Sequence, residues 1–556
     1  MVAPPITFEG DRMSVHFDTF DLPAYDLFLR VKNIPEYALT FDPEGETYTV
    51  TAPARFAEML GVERPAGSAQ SLPLSPFLYD DQAYIVPTAL EAKRYAVWSD
   101  CGGGKTVIGL EYARHVIHRT DGRVLIVTLN EIVPQWIAEA ATFYGDSLPV
   151  VRLNTREQMK EWCRHGTVDG VPTIAKVGIT NYEKFNHKGD DDQNVAELRH
   201  LAGLVLDEAS RLKCGGGKQK WAVIKSGKGI EYKLALTATP APNEPIEFAS
   251  QASFLEKMRS DNEIIWTYFA RDPDTQEWTV KPHARKAFFE FMSSWSIYVR
   301  DPKRYGWRLN LPDVPPPKYI RLDIEPTAEQ RTEAARIMAT PAAANGQQTL
   351  ISDKGIGMVE RNKLSQVAKG FVYLKGKPGD KKGTKKIRRI PSNKPATVAR
   401  IVADEVATGS QVLVWTVFDG ESKELAKQLG REGVEYELLT GATAEADRAA
   451  TLDRFRDGQC RVLVSRASLL GFGMNFQMCS AMVFSGWTDS YESFYQAVRR
   501  AVRHGQAKRV RVYLPCVRDL EDETLANLDR KAAQMEQAIS EMETQYVRVL
   551  SKGERR

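Results

Sequence analysis

At 556 residues the chain is long enough for several domains of roughly 100–200 residues each, and 43% hydrophobic residues can fill their cores. A net charge of +3 over 75 basic and 72 acidic residues excludes a uniformly basic nucleic-acid coat, so any basic surface must arise from local clustering. The six cysteines (Cys101, Cys163, Cys214, Cys460, Cys479, Cys516) lack C-x-x-C spacing, which argues against a zinc site or disulfide framework. No apolar run approaches the ~18 residues that span a bilayer, so a soluble, cytoplasmic protein is expected.

Residues 1–70 read as a small accessory module. Tyr37–Phe41 and Thr47–Thr51 alternate as strands, Asp42–Glu46 has turn composition, and a helix over Ala54–Leu60 should follow the hairpin. A proline-bounded linker then leads to Pro76–Gln82, where the Gln82 amide, able to donate and accept at once, suits a purine edge.

Tyr95–Trp98 form a short apolar strand, and Val107–Ile117 have helical spacing; between them lie Ser99, Asp100, Cys101, Gly102, Gly103, Gly104, Lys105 and Thr106. Three glycines in such a strand–turn–helix let backbone N–H groups close on a polyphosphate at the positive end of a helix dipole. Lys105 adds a mobile charge, and the Thr106 hydroxyl is placed to ligate magnesium. Ser99 stands where the usual phosphate-loop pattern begins with Gly. The chain repeats the five letters at Cys214–Lys218, but Gln219 follows and no strand precedes, so that copy reads as a flexible basic loop.

Further apolar strands are expected at Val124–Thr128, Thr173–Ile179 and Leu204–Leu206, the first followed by a helix beginning near Val133–Trp136. Strands alternating with helices indicate a parallel, doubly wound sheet, whose ligands collect at the strands' carboxyl ends. Asp207 there could hold Mg²⁺ and Glu208 polarise an attacking water. Leu234–Pro240 offers another strand end, with Thr237 and Thr239 as hydroxyls able to relay toward a second domain.

From 245 to 390 the aromatic segments (Trp266, Tyr268, Phe269; Phe288, Phe289, Phe291, Trp295) read as core. The run Lys369–Arg389, with eight basic residues over Lys375–Arg389, is a candidate phosphate-backbone contact. A second α/β unit begins near Lys394, with strands at Val412–Trp415, Tyr436–Leu439, Val462–Ser465 and Ala481–Phe484 and no phosphate loop of its own. Gln496–Gln506 should be helical, placing Arg500 and Arg503 on one face. After Pro515, a stripe from Leu525 through Leu528, Ala532, Met535, Ile539, Met542, Tyr546 and Val549 predicts a helix packed onto the body.

In order, Gln82, the loop at 99–106, Trp136, Asp207–Ser210 and Thr237–Pro240 resemble the N-terminal motor motifs of superfamily 2 helicases. They are most similar to SWI/SNF-type remodeller ATPases and their compact bacterial and phage relatives. Gln496–Gln506 resembles that family's Q-x-x-G-R-x-x-R-x-G-Q, with Arg499 in place of Gly, and Gly471, Gly473 and Asn475 resemble its element linking nucleotide state to the nucleic-acid backbone. Ile34–Val50 resembles the small N-terminal module of annealing-helicase-type translocases.

The resemblance covers roughly residues 74–515 and implies two tandem RecA-like parallel-sheet domains with helical insertions, a small α+β appendage and a C-terminal helix. The expected division is 1–70 accessory module, 71–255 ATP-binding domain, 256–390 insertion with basic loop, 391–515 C-terminal helicase domain and 516–556 terminal helix. ATP and Mg²⁺ would sit between Lys105, Thr106, Asp207 and Glu208 on one side and the arginine fingers Arg500 and Arg503 on the other, with Gly473 near the nucleotide. Thr237, Thr239, Asn475 and Gln496 would couple the site to nucleic acid. The implied activity is ATP-driven movement of a monomer along DNA, duplex first, with little sequence preference; protein partners would use the N-terminal module. A strand-separating DNA or RNA helicase and an ATP-switched scaffold remain the alternatives.

Overall fold

The computed structural model describes residues 4–551 except 10–11, 19–20, 33, 35–36, 44, 46, 54–56, 58–59, 63–71, 101, 186–194, 213–216, 242–244, 259, 272–277, 309–313, 340–357, 375–385, 471–474 and 504. The N-terminal module is a four-stranded antiparallel sheet in the order Ile6–Glu9, Arg12–Phe17, Thr47–Pro53, Ala38–Asp42. Alternation turns Met13, Val15 and Phe17 inward against Leu27 and Val31 of the helix Leu22–Val31. Asp21 caps that helix by accepting the Ala24 N–H at 2.9 Å. The hairpin forms where the alternation places it, and the helix expected over 54–60 falls largely outside the described residues.

Seven parallel strands build the first α/β sheet, in the order Ser296–Val299, Arg94–Ser99, Tyr232–Thr237, Gly203–Asp207, Val124–Thr128, Val177–Asn181, Val150–Arg152. Four of them, Val124–Thr128, Val177–Asn181, Gly203–Asp207 and Tyr232–Thr237, are buried at every residue, which is why they are apolar at their centres instead of alternating; the one cation among them, Lys233, is buried on Glu256 and the Phe254 carbonyl. The strand expected from Thr173 starts only at Val177, since Ile174 is 87% exposed and contributes nothing to the sheet. The sheet also crosses the division read at 255: Ser296–Val299 pairs with Arg94–Ser99, and Phe288, Phe289 and Trp295 lie in the same core. Lys218 opens the helix Lys218–Ser226 instead of lying in a basic loop, because Ala222 and Val223 are drawn into the core.

Beneath the phosphate-loop helix Lys105–Thr120, fully buried Glu111 ties the upstream linker to the helix. It accepts hydrogen bonds from the Ser75 hydroxyl (2.7 Å), the Tyr144 hydroxyl (2.8 Å) and Arg114, and pairs with His115. Burial alone would raise its pKa, but the bonds from His115, Arg114 and Ser75 outweigh burial and hold it well below the usual carboxylate range.

The second sheet has six parallel strands, ordered Lys318–Ile324, Arg511–Val517, Ala481–Phe484, Val412–Thr416, Val462–Arg466, Glu437–Leu439. Its first two strands cross the divisions read at 390 and 515, so the region between the two sheets gives an edge strand to each. The basic run also needs correction at its ends. Lys369 is 1% exposed and donates to Glu521 at 2.7 Å, while Arg388 pairs with Glu333 and Arg389 with Glu424. These three cations are engaged by carboxylates, and 375–385 lie outside the described residues.

The C-terminal helix, Asp522–Ser551, at ~1.5 Å per residue spans roughly 45 Å and serves both cores. Leu525 and Leu528 pack into the second unit, whereas Met535, Ile539, Met542 and Tyr546 pack into the first. No helix among the described residues is long and apolar enough to cross a membrane.

Just before that helix, Glu521, 2% exposed, bridges two buried ammonium groups, Lys369 and Lys394 (2.7 and 2.6 Å). Glu521→Gln leaves both cations buried without their counter-charge and should destabilise the second unit by about 3–5 kcal/mol. The shift of its unfolding transition in urea, followed by tryptophan fluorescence, measures this.

Candidate active site

The phosphate loop is set by three local constraints. Gly102 (φ +89°) and Gly104 (φ +70°) occupy left-handed backbone, where a side chain is strained. Gly103 is forced by space: a Cβ there would lie 1.9 Å from the Ser99 hydroxyl oxygen. Ser99, 3% exposed at the end of its strand, therefore fills the underside of the loop. A Cβ at Gly104 would meet Gln82 Nε2 at 2.2 Å, which places the Gln82 amide directly against the turn; its Oε1 accepts the Tyr79 N–H at 3.1 Å. Lys105 Nζ donates to the carbonyls of Ser99 (2.8 Å) and Asp100 (3.1 Å), folding the ammonium over the loop.

Gly109, on the next turn of the helix, lets Trp136 approach so closely that a Cβ would stand 2.6 Å from its ring. That approach aims the Trp136 indole N–H at Asp207 Oδ2 (2.8 Å), which also accepts from Thr128 Oγ1 (2.8 Å). The Glu208 N–H donates to Asp207 Oδ1 at 3.0 Å, and Tyr182 donates to the Asp207 carbonyl at 2.8 Å. Asp207 thus has a fixed rotamer at the carboxyl end of its strand.

Glu208 has φ +52°, a conformation in which β-strand and following turn diverge sharply, and its side chain is the meeting point of the site. Oε1 accepts from Thr237 Oγ1 (3.0 Å), Ser210 Oγ (3.0 Å) and, from the second domain, Gln496 Nε2 (3.1 Å). Ser210 Oγ also lies 2.8 Å from Glu492 Oε1, so one hydroxyl proton stands between two carboxyl groups. Burial, then the charges of Glu492 and Asp207, push Glu208 up to about 7, against the opposing pull of Lys105. A buried carboxyl poised near neutrality suits proton exchange with water.

The helix expected over 496–506 is displaced: it runs Tyr491–Arg499, with Arg500 as its C-cap, so Arg500 and Arg503 do not share a regular helical face. Two tethers end it. The Phe476 N–H donates to the Arg500 carbonyl at 2.9 Å, and Gln506 Nε2 donates to the carbonyls of Gln477 and Cys479, each at 2.8 Å. Arg503 Nη1 bonds Asn475 Oδ1, linking two residues read separately as finger and coupling element. On the same helix Tyr495 and Arg499 reach Asp100 in the phosphate loop, 2.6 Å from the Tyr495 hydroxyl and 3.1 Å from Arg499 Nε to Oδ1. The structure thus gathers Gln82, Asp100, Gly102, Gly103, Gly104 and Lys105 in and against one loop. It gathers Asp207, Glu208, Thr237 and Gln496 around one carboxylate pair. The Thr239 N–H donates to Thr237 Oγ1 at 3.1 Å, while Cys101 and Gly473 lie outside the described residues.

Sequence reasoning missed Thr128, Tyr182, Glu492 and Tyr495. Thr128 carried a usable signal as the polar end of an apolar strand. Glu492 and Gln496 are four apart on the helix, a spacing that puts both on one face.

Two family models match the chain, the SNF2-related domain over residues 97–277 and the helicase conserved C-terminal domain over 393–505. "Chromatin remodeling factor mit1" of Schizosaccharomyces pombe is 23% identical over 336 residues, 59% of this chain and 23% of that protein. "Protein CHROMATIN REMODELING 4" of Arabidopsis thaliana is 23% identical over 440 residues, 74% of this chain and 18% of that protein. "Helicase SWR1" of Candida albicans is 26% identical over 194 residues, 33% of this chain and 11% of that protein. The match thus spans less than a quarter of each relative's length. The solved "Sulfolobus solfataricus SWI2/SNF2 ATPase core in complex with dsDNA" aligns at 18% identity and a TM-score of 0.36, covering 87% of this chain and 98% of that one. With an SNF2-related domain on the loop-bearing sheet and a helicase C-terminal domain on the sheet that sends Gln496 to Glu208, the chain belongs to the SWI/SNF-type family of superfamily 2, a family of ATP-hydrolysing helicases and translocases.

Proposed function

We propose that this chain hydrolyses ATP in the cleft between its two sheets and uses the resulting domain movement to step along DNA, most directly along the duplex. The observation that carries this reading is the Glu208 carboxylate, held by Thr237 from one domain and Gln496 from the other. Hydrolysis at such a group is sensitive to the relative position of the domains, which is what a motor requires. Family relatives named as chromatin remodelling factors support DNA as the track.

In this reading the N–H groups of the Gly102–Gly104 turn and the Lys105 ammonium bind the β- and γ-phosphates, with Lys105 exchanging its two loop carbonyls, and the Gly103 N–H its bond to the Asp100 carbonyl, for phosphate oxygens. Gln82, already against Gly104, faces the base end of the nucleotide. Among the described residues no cluster of three or more His, Cys, Asp or Glu could hold a metal. A cation would instead share the hard oxygen donors Thr106 and Asp207 with the phosphates, the donor set Mg²⁺ accepts. Mg²⁺ bound there would neutralise phosphate charge. Glu208 orients water and takes up its proton, while Ser210, Thr237 and Gln496 hold the carboxylate in place. Arg500 and Arg503 are the groups of the second domain that stabilise charge on the transferred phosphoryl group. Asn475, bonded to Arg503, joins that step to the nucleic-acid face. Backbone contacts without base readout give little sequence preference.

Lys105→Ala, Glu208→Gln and Arg503→Ala should each abolish DNA-stimulated ATP hydrolysis, the arginine by about a thousandfold or more; turnover within tenfold of wild type in any of them contradicts the assignment. Gly103→Ala should lose binding of a fluorescent ATP analogue, and adding Ser99→Gly, which removes the clashing hydroxyl, should restore part of it. ATPase stimulation by duplex DNA should exceed that by single-stranded DNA or RNA and fall steeply between about 50 and 200 mM salt, as phosphate-driven binding requires. Triplex displacement without strand displacement in parallel assays marks translocation; strand displacement marks an unwinding helicase.

A further inference from the structure

Asp100 lies inside the phosphate loop, yet its side chain is turned across the cleft. Its backbone belongs to the loop: the carbonyl accepts Lys105 Nζ (3.1 Å) and the Gly103 N–H (3.0 Å), and its own N–H donates to the Val299 carbonyl (3.3 Å). Its carboxylate is held by the second domain. Oδ1 accepts from the Tyr495 hydroxyl (2.6 Å) and Arg499 Nε (3.1 Å), and Oδ2 accepts from Arg499 Nη2, a forked guanidinium–carboxylate pair with a phenol added. The Asp100 and Arg499 side chains are only 14% and 22% exposed, and the guanidinium lies 5.9 Å from the Tyr495 ring centroid. Such a pair is directional and poorly screened, unlike an exposed ion pair.

Tyr495 and Arg499 are four apart on the helix Tyr491–Arg499, and Glu492 and Gln496 are the corresponding four-apart pair on the neighbouring face. One face of this helix grips the phosphate loop through Asp100; the other grips Glu208 and Ser210. Arg500 follows as the helix C-cap and Arg503 lies three residues on, in the turn beyond the helix. We propose that Asp100, Tyr495 and Arg499 are positioning residues that register the second domain against the phosphate loop. A displacement of the loop by phosphate then passes through Asp100 to the helix that carries Gln496 and leads into Arg500 and Arg503. Arg499, the residue that stands where the resembling motif has Gly, acquires a role in domain coupling and not in direct phosphate contact.

This inference rests on the proposed ATPase reading, and a double-substitution cycle separates the two. kcat and KM for ATP are measured at saturating duplex DNA for wild type, Lys105→Ala, Arg499→Gly, Asp100→Asn, the Asp100→Asn/Arg499→Gly double variant, Arg499→Lys and Tyr495→Phe. Arg499→Gly should lower kcat about tenfold with KM within about twofold, and the double variant should lose no more than Arg499→Gly alone, because the two groups act as one unit. Arg499→Lys should recover part of kcat, since an ammonium pairs with the carboxylate but cannot fork, and Tyr495→Phe should cost less than Arg499→Gly. Additive losses in the double variant, a loss confined to KM, or wild-type kcat in Arg499→Gly overturns the positioning role. Wild-type turnover that does not depend on Lys105 overturns the ATPase reading instead. Independently of turnover, energy transfer between labels on the two domains of the nucleotide-free chain should drop in Arg499→Gly at an unchanged melting temperature; unchanged transfer overturns the proposal.

Discussion

A carboxylate cannot be left inside a protein without donors, and Glu208 obtains its donors from two separately built sheets. Thr237 and Ser210 reach it from the first, Gln496 from the second. Removing the second domain would leave the group with fewer bonds and more water. The bonding of Glu208, and with it the chemistry proposed there, is therefore conditional on the domain interface, and the remaining architecture holds that interface in register.

Two kinds of contact do this, with different physical characters. Across the cleft the contacts are polar and few: Gln496 to Glu208, Glu492 to Ser210, Tyr495 and Arg499 to Asp100. Polar contacts can be exchanged for phosphate or water at modest net cost, as the proposed cycle requires. On the outside, the helix Asp522–Ser551 makes apolar contacts with both cores, through Leu528 at one end and Met542 and Tyr546 at the other. The same helix also carries directional bonds to both units, Glu541 and Glu543 to Arg285 and Arg304 of the first and Asn527 to Asp489 of the second, so it fastens the two domains to each other from outside the cleft.

The phosphate loop shows how far a local departure from pattern can be compensated locally. Ser99 replaces the expected leading glycine, and its hydroxyl takes the volume beneath Gly103, which must then remain without a side chain. The departure at 499 is compensated at long range instead, by the acidic residue next to Ser99.

Much of the candidate site's geometry was written in the order of residues, because its parts are local. A glycine turn between an apolar strand and a helix gathers backbone N–H groups at a helix start from its backbone geometry alone, and a strand that ends in Asp207-Glu208 delivers both carboxylates to one edge of a parallel sheet. Gln82, Lys105, Asp207 and Glu208 could be named without coordinates for that reason. The tertiary structure decided whatever depends on partners distant in the chain. The four residues Ser296–Val299 are too short and too embedded among aromatics to announce themselves as a strand until Arg94–Ser99 offers its edge. The helix before Arg500 stops at Arg499 because Phe476 and Gln506 capture the chain there, and no periodicity within 496–506 encodes those captures. Lys369 looks like part of a basic surface until Glu521 takes it into the core. Residues 100 and 499 meet only because two sheets, each stable through its own apolar strands, stack at the ends where those strands release their polar residues. Periodicity and turn chemistry act over a few residues, whereas charge pairing acts between whichever groups folding brings within reach.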